Sequence, residues 1–185
     1  SYEAASGSPQ LVPGGKGLNH AVGLAKLNVP THLIGRMGKD SFSLIIQEYL
    51  QVFTYAHPNL MTEAVRMVRG ARTGVGLLVT GEKKCATNIV CHGATRAVGD
   101  AELNLLEGIL VSHNPKMLLL GTEIPMAANL KAAKLAKEKG TLVALRLGSM
   151  RRESVPAVQS LLLDGNVHIL CASHGEASLL GANGN

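Results

Sequence analysis

Gly14-Gly15-Lys16-Gly17-Leu18-Asn19-His20-Ala21-Val22 is the stretch from which the rest of the chain can be read. Leu18, Val22 and Ala25, with Ala21, Leu24 and Leu27 one residue out of step, recur at helical intervals, so the Gly-Gly pair leads into a helix that begins near Leu18. Glycines let a backbone come close to a polar ligand. Lys16 and Asn19 add a charge and an amide at a helix N-terminus, where partial positive charge gathers. A hydroxyl-rich or anionic ligand suits such a place, and a plain helix-entry turn has the same composition. The segment does not meet GxxxxGK[ST], and it fails GxGxxG because His20 stands where the last glycine belongs, so neither nucleotide motif is present.

Outward from this segment, Pro30 precedes a short extended run over 31–36, followed by a helix from 42 to about 52. Residues 73–80 form a β run rich in Val and Leu. Gly81, Glu82 and Lys83 supply turn chemistry, and 85–91 form a second run, a spacing that predicts an antiparallel hairpin. Asp100 is read as the cap of a helix reaching about 113. Further strands are expected at 117–120, 141–145 and 167–171, and further helices at 127–139, 154–163 and from 175 to 180. The repeating order predicts an α/β fold, a mostly parallel sheet flanked by helices on both faces. Residues 1–185 read as one domain, with the hairpin at about 73–92 as an appendage. Such sheets bind ligands beyond the carboxyl ends of their strands, which directs attention to loops 35–41, 121–126 and 146–151.

The 185 residues are 46% hydrophobic and 17% charged, enough apolar material for one sizeable core and incompatible with a disordered chain. No apolar stretch approaches the roughly 20 residues of a membrane span, and the first residues carry no signal-like pattern, so no membrane partner is expected. Three cysteines without CxxC spacing argue against a disulfide framework or zinc site and for a reducing, cytoplasmic setting. The charge of +5 is modest, the cations are scattered, and two Phe, three Tyr and no Trp give little to stack on bases, so nucleic-acid binding is not expected. None of the seven His forms HExxH, and no GxSxG elbow occurs.

The glycine-rich segment, followed by Ile34-Gly35-Arg36-Met37-Gly38-Lys39-Asp40-Ser41-Phe42, resembles the first signature of the ribokinase-like, PfkB-type carbohydrate kinases. The likeness continues through Thr73-Gly74-Val75, His92-Gly93-Ala94 and Glu123-Ile124-Pro125, and so covers nearly the whole chain. It implies a ribokinase-like fold in which the hairpin is a lid over the sugar. Gly14, Gly15, Lys16 and Asn19 then hold sugar hydroxyls, and Glu123 is a further sugar-contacting acid. Converging donors and acceptors beneath a water-excluding lid suit that chemistry. Lys16 as a solvated helix-start cation and Glu123 as a helix-entry carboxylate are the competing readings.

By the same resemblance the chain is truncated at both ends. It starts after the family's first strand, whose Asp grips the sugar, and the C-terminal third of the fold is absent. No Gly-Ala-Gly-Asp occurs, so the family's catalytic base and anion hole are missing and no catalytic residue is assigned. The family's NxxE motif falls on Ser173-His174-Gly175-Glu176, and its Asn-Pro-Ala-Pro-type segment on Arg146-Leu147-Gly148-Ser149. Arg146 and Glu176 are thereby implied on the cofactor side, Glu176 also as a metal ligand, although Arg donates only and cannot replace an Asn amide in kind. Ser43 replaces the Gly that closes the family's GxDxxG turn.

The resemblance implies ATP and Mg2+ as cofactors, with activation by a monovalent cation, neither cofactor being held by this chain alone. The implied activity is ATP-dependent phosphorylation of a pentose, D-ribose to ribose 5-phosphate. Losing base and anion hole together makes the chain alone a poor kinase. The alternative is a non-catalytic pseudokinase or scaffold. The implied partners are a small-molecule sugar and either a second copy, through the hairpin, or a partner chain covering the incomplete fold.

Overall fold

The computed structural model describes residues 11–80, 86–148 and 152–181. The turn read at Gly81, Glu82 and Lys83 lies outside these ranges, as do Cys85, Ser149 and the chain's first ten residues. In chain order the elements are α1 (Lys16–Lys26), β1 (Thr31–His32), β2 (Gly35–Gly38), α2 (Ser41–Ala56), β3 (Leu60–Met61), β4 (Val65–Val68), β5 (Val75–Thr80), β6 (Ala86–Cys91), α3 (Asp100–His113), β7 (Met117–Gly121), α4 (Met126–Glu138), β8 (Leu142–Arg146), α5 (Val155–Leu163), β9 (Ile169–Cys171) and α6 (His174–Leu179).

β7, β8 and β9 form a parallel sheet in which Leu118 pairs with Val143, Leu120 with Leu145, and Gly121 with Arg146 and, through it, Cys171. The alternate residues Leu120, Val143 and Leu145 point to one face. There they meet Leu103, Leu106 and Leu110 of α3, Ala132, Ala133 and Ala136 of α4, and Val158 and Leu161 of α5. The small alanines bring α4 close to the sheet, and each fully buried aliphatic side chain contributes about 1.5–3 kcal/mol. On the opposite face Leu119, Leu142 and Ile169 remain 40–45% exposed. A smaller cluster joins Ala21 and Ala25 of α1 to Phe53 of α2 and Leu60 of β3.

The run expected at 31–36 is divided into β1 and β2, which pair in parallel with β3 and β4, two strands absent from the sequence reading. Thr62, Glu63 and Ala64 stand opposite Leu33 and Ile34, one extra residue on one side, and this bulge interrupts the ladder. α1 begins at Lys16 rather than near Leu18, because Gly15, at φ 104°, turns the chain directly into the helix. Asp100 is not the cap of α3. Gly99 is, and Glu102 returns a carboxylate oxygen to the Gly99 N–H at 3.0 Å while Asp100 pairs with Lys131 at 2.8 Å.

The antiparallel hairpin β5–β6 forms in the expected place. Its root is held by Asp40, whose carboxylate accepts from the Thr73 N–H at 2.7 Å, the Thr73 hydroxyl at 2.7 Å and the Ser43 N–H at 3.0 Å. Glycine is required around it: a Cβ on Gly38 would strike the backbone at Ala71, Arg72 and Thr73, and one on Gly93 the backbone at Arg72, Thr73 and Gly74. Nearby, the 2% exposed Glu102 side chain forms ion pairs with Arg36 at 3.4 Å and Arg66 at 3.8 Å, tying the start of α3 to β2 and β4.

Glu102→Gln removes the buried carboxylate charge but leaves Arg36 its Ala97 carbonyl and Arg66 partly in water, so it is expected to lower stability by roughly 1–3 kcal/mol, read from urea unfolding. The Thr73 hydrogen bonds hold the Asp40 carboxyl below its ordinary value of 3.8. Its stabilisation is therefore complete above that value and is lost as pH falls through the lower folded value. Acid unfolding followed by circular dichroism should set in at higher pH for Thr73→Val, in which the hydroxyl donor is gone.

Candidate functional site

The register that aligns Gly121, Arg146 and Cys171 makes β7, β8 and β9 end at one level. The segments leaving those ends carry Glu123, Arg146 with Gly148, and Ser173 with Glu176. Lys16, the first residue of α1, reaches them from the far end of the sequence: its Nζ lies 2.6 Å from Glu123 Oε1, across 107 positions. The pair is partly open, with side-chain exposures of 35% and 25%.

Each expected sugar-side residue can now be placed. Gly15 is the N-cap of α1 and supplies no side-chain cap, so the first-turn N–H groups receive no cap from the N-cap residue. Gly14 is exposed immediately before it, and Asn19 is exposed one turn in, its N–H bonded to the Gly15 carbonyl at 2.9 Å. Lys16 and Glu123 are brought into contact; for Gly14 and Asn19 the structure shows proximity along the chain and no contact with Glu123.

On the other side, Arg146, Leu147, Cys171, Ala172, Ser173 and Glu176 line a cleft of about 300 Å³. Arg146 donates one N–H to the Leu147 carbonyl at 2.7 Å, leaving further guanidinium donors. Glu176 turns back on its own helix start: Oε2 accepts from the Ser173 N–H and hydroxyl, both at 2.9 Å, closing a capping box. The Ser173 N–H first of all, then its hydroxyl and the charges of Arg146 and Lys16, hold the Glu176 carboxyl below the ordinary range against a burial effect of opposite sign.

Among the described residues no three His, Cys, Asp or Glu side chains gather as a metal site, and the Glu176 carboxylate is engaged by the Ser173 N–H and hydroxyl. Magnesium is commonly held by one or two carboxylates together with waters and substrate phosphates, and Glu176 is the carboxylate that lines this cleft. The cleft does suit a phosphate, for which Arg146 is a planar donor.

Sequence reasoning missed the residues that hold this site in shape. Thr122 bridges to Gly148, fully buried Asn129 donates to the Gly121 carbonyl at 3.1 Å, and Gly121 and Gly148 flank the Glu123 carboxylate. The available signal was positional for Gly121, Thr122 and Gly148, which sit at or within two residues of a strand's carboxyl end; Asn129, within α4, carried none.

The pattern of the pfkB family carbohydrate kinases matches residues 3–185. A ribokinase of Arabidopsis thaliana is 29% identical over 171 residues, covering 92% of this chain and 43% of its own. The solved structure of Arabidopsis thaliana ribokinase, complexed with ribose and ATP, superposes at a TM-score of 0.68 with 28% identity over 90% of this chain and 51% of that one. The Giardia lamblia ribokinase structure gives a TM-score of 0.78 at 20% identity, covering 99% and 53%, a likeness of fold. The chain thus spans about half the length of the curated relatives it matches.

The capping arrangement makes a direct prediction. Ser173→Ala removes the hydroxyl donor and keeps the backbone one, so the Glu176 carboxyl should titrate at higher pH than in the wild type without returning fully to its ordinary value. Carboxyl carbon NMR across an acid titration reads this.

Proposed function

The chain belongs to the pfkB family of carbohydrate kinases, and from that premise we propose that it serves ATP-dependent phosphorylation of a pentose, D-ribose to ribose 5-phosphate, with its own residues binding and orienting the sugar. The observation that carries this reading is the Lys16–Glu123 contact at the helix N-terminus and the strand ends. An ammonium has three N–H donors and the contact uses one, while a carboxylate has several acceptor sites, so a polyol can bridge both groups. Gly14, Gly15 and Asn19 offer backbone and amide groups to the same ligand, and the hairpin closes over it. Arg146 and Glu176 lie toward the nucleotide phosphates. The chain contains no Gly-Ala-Gly-Asp, so the proposal assigns it capture of the sugar and not transfer.

The hairpin supports a second part of the reading. Leu77 and Ile89 lie on one face of the ladder, Leu78 and Val90 on the other, and all four are 45–62% exposed. A hairpin apolar on both faces can cover a ligand with one and meet a partner with the other. We assign that second face to a second copy of the chain. The exposed Leu119, Leu142 and Ile169 equally favour the scaffold reading, in which a partner chain covers the sheet.

Titration of the chain with ribose, followed by calorimetry and by exchange of the hairpin amides, should give saturable binding at millimolar sugar. Lys16→Ala and Glu123→Gln should each weaken it by roughly tenfold or more. No saturable response in the wild type overturns the sugar site. Phosphorylated product from the chain with ATP and a panel of sugars overturns the separation of capture from transfer. Sedimentation should show a dimer that Leu78→Lys converts to monomer.

A further inference from the structure

We propose that Gly148 and Thr122 are positioning residues for the Lys16–Glu123 pair, holding open a slot without side chains in which the carboxylate and ammonium meet. The inference deepens the sugar-site reading and rests on it only for its affinity readout.

Glu123 places its two oxygens against two different glycines. A Cβ on Gly121 would stand 2.6 Å from Oε2, and one on Gly148 would overlap both Oε1 and Lys16 Nζ. The carboxylate therefore lies between two strand-end backbones that carry no side chain. The slot is fastened from three directions. The Thr122 hydroxyl accepts from the Gly148 N–H at 2.9 Å and lies 3.1 Å from the Gly148 carbonyl, to which it donates. The Thr122 N–H donates to the Arg146 carbonyl at 3.3 Å. Asn129, buried at 0% exposure, donates to the Gly121 carbonyl at 3.1 Å. Thr122 is the residue before Glu123, so one hydroxyl links the backbone that carries the acid to the glycine that must stay clear of it.

The distinction between shape and function is testable because Gly148 does not need to be glycine for its backbone. It is not among the positive-φ residues, so alanine can adopt its conformation. A methyl group there meets the ends of two side chains, the Lys16 ammonium and the Glu123 carboxylate, and no backbone atom among its nearest neighbours, so both ends can give way and the pair is driven apart at little cost to the fold. Gly148→Ala is therefore expected to fold, with the ammonium displaced from the carboxylate. Thr122→Ser keeps the hydroxyl bridge, and Thr122→Val keeps the shape without it.

The experiment is proton–nitrogen NMR of the lysine ammonium groups in the full 185-residue chain, the Lys16 signal being identified by its loss in Lys16→Arg, together with ribose titration. An ion-paired ammonium exchanges its protons slowly enough to be seen. The expected result is a resolved Lys16 signal in the wild type and in Thr122→Ser, its loss in Gly148→Ala, and its weakening in Thr122→Val, with ribose affinity falling roughly tenfold in Gly148→Ala. An unchanged Lys16 signal in Gly148→Ala, or no protected signal in the wild type, overturns the proposal. Should Gly148→Ala fail to give a folded spectrum, Thr122→Val against Thr122→Ser decides alone, and equal signals in those two overturn it. If the ammonium responds as expected and no variant, nor the wild type, binds ribose, the slot stands and the sugar reading falls.

Discussion

The parallel register of β7, β8 and β9 is the constraint on which the site depends. Gly121, Arg146 and Cys171 are neighbours across the ladder, so three segments leave the sheet at one level and their first turns face one another. The same register decides the core, because Val143 and Leu145 point toward α3, α4 and α5 only in this alternation. A slip of one residue would send them to the opposite face and carry Arg146 inward. Core packing and site geometry are therefore fixed by one choice.

Two acid–base contacts of different kinds are built around that frame. Glu102 is almost fully enclosed and is shared by Arg36 and Arg66, which join β2 and β4 to the start of α3. Its carboxylate is closed off from water, and its part is to hold segments together. Lys16 and Glu123 meet in a partly open place where water and hydroxyl groups compete for the same donors and acceptors. Exchange of partners is cheap there, which suits recognition as it would not suit a strut.

Much of this arrangement was legible in the residues. The periodic helices at α3 and α4, the apolar strands β7 and β8, and the hairpin followed from hydrophobic spacing and turn residues, because burial on one face leaves a regular mark. Lys16 was named from the glycine-rich segment and Glu123 from the resemblance to the PfkB-type kinases, and the fold sets them in contact. β3 and β4 were not legible: two- and four-residue strands with Glu63 and Arg66 in or beside them carry too short a pattern, and only pairing with β1 and β2 defines them. Asp100 misled because Asp is a good cap in general. Here the residue before it has the required backbone, and Glu102 supplies the carboxylate. Thr122 and Gly148 lay in loops that the strand-end rule had marked, but their roles, like that of Asn129, did not show, since a hydroxyl bridge and an empty slot are features of three-dimensional contact.

The root of the hairpin has a mechanical consequence. Gly38, Gly74 and Gly93 let three backbone segments touch without side chains between them, and Asp40 bonds across the joint to Thr73. Such a joint has little compliance. Because Ser43 shares the same carboxylate, the base of the hairpin cannot shift without disturbing the first turn of α2.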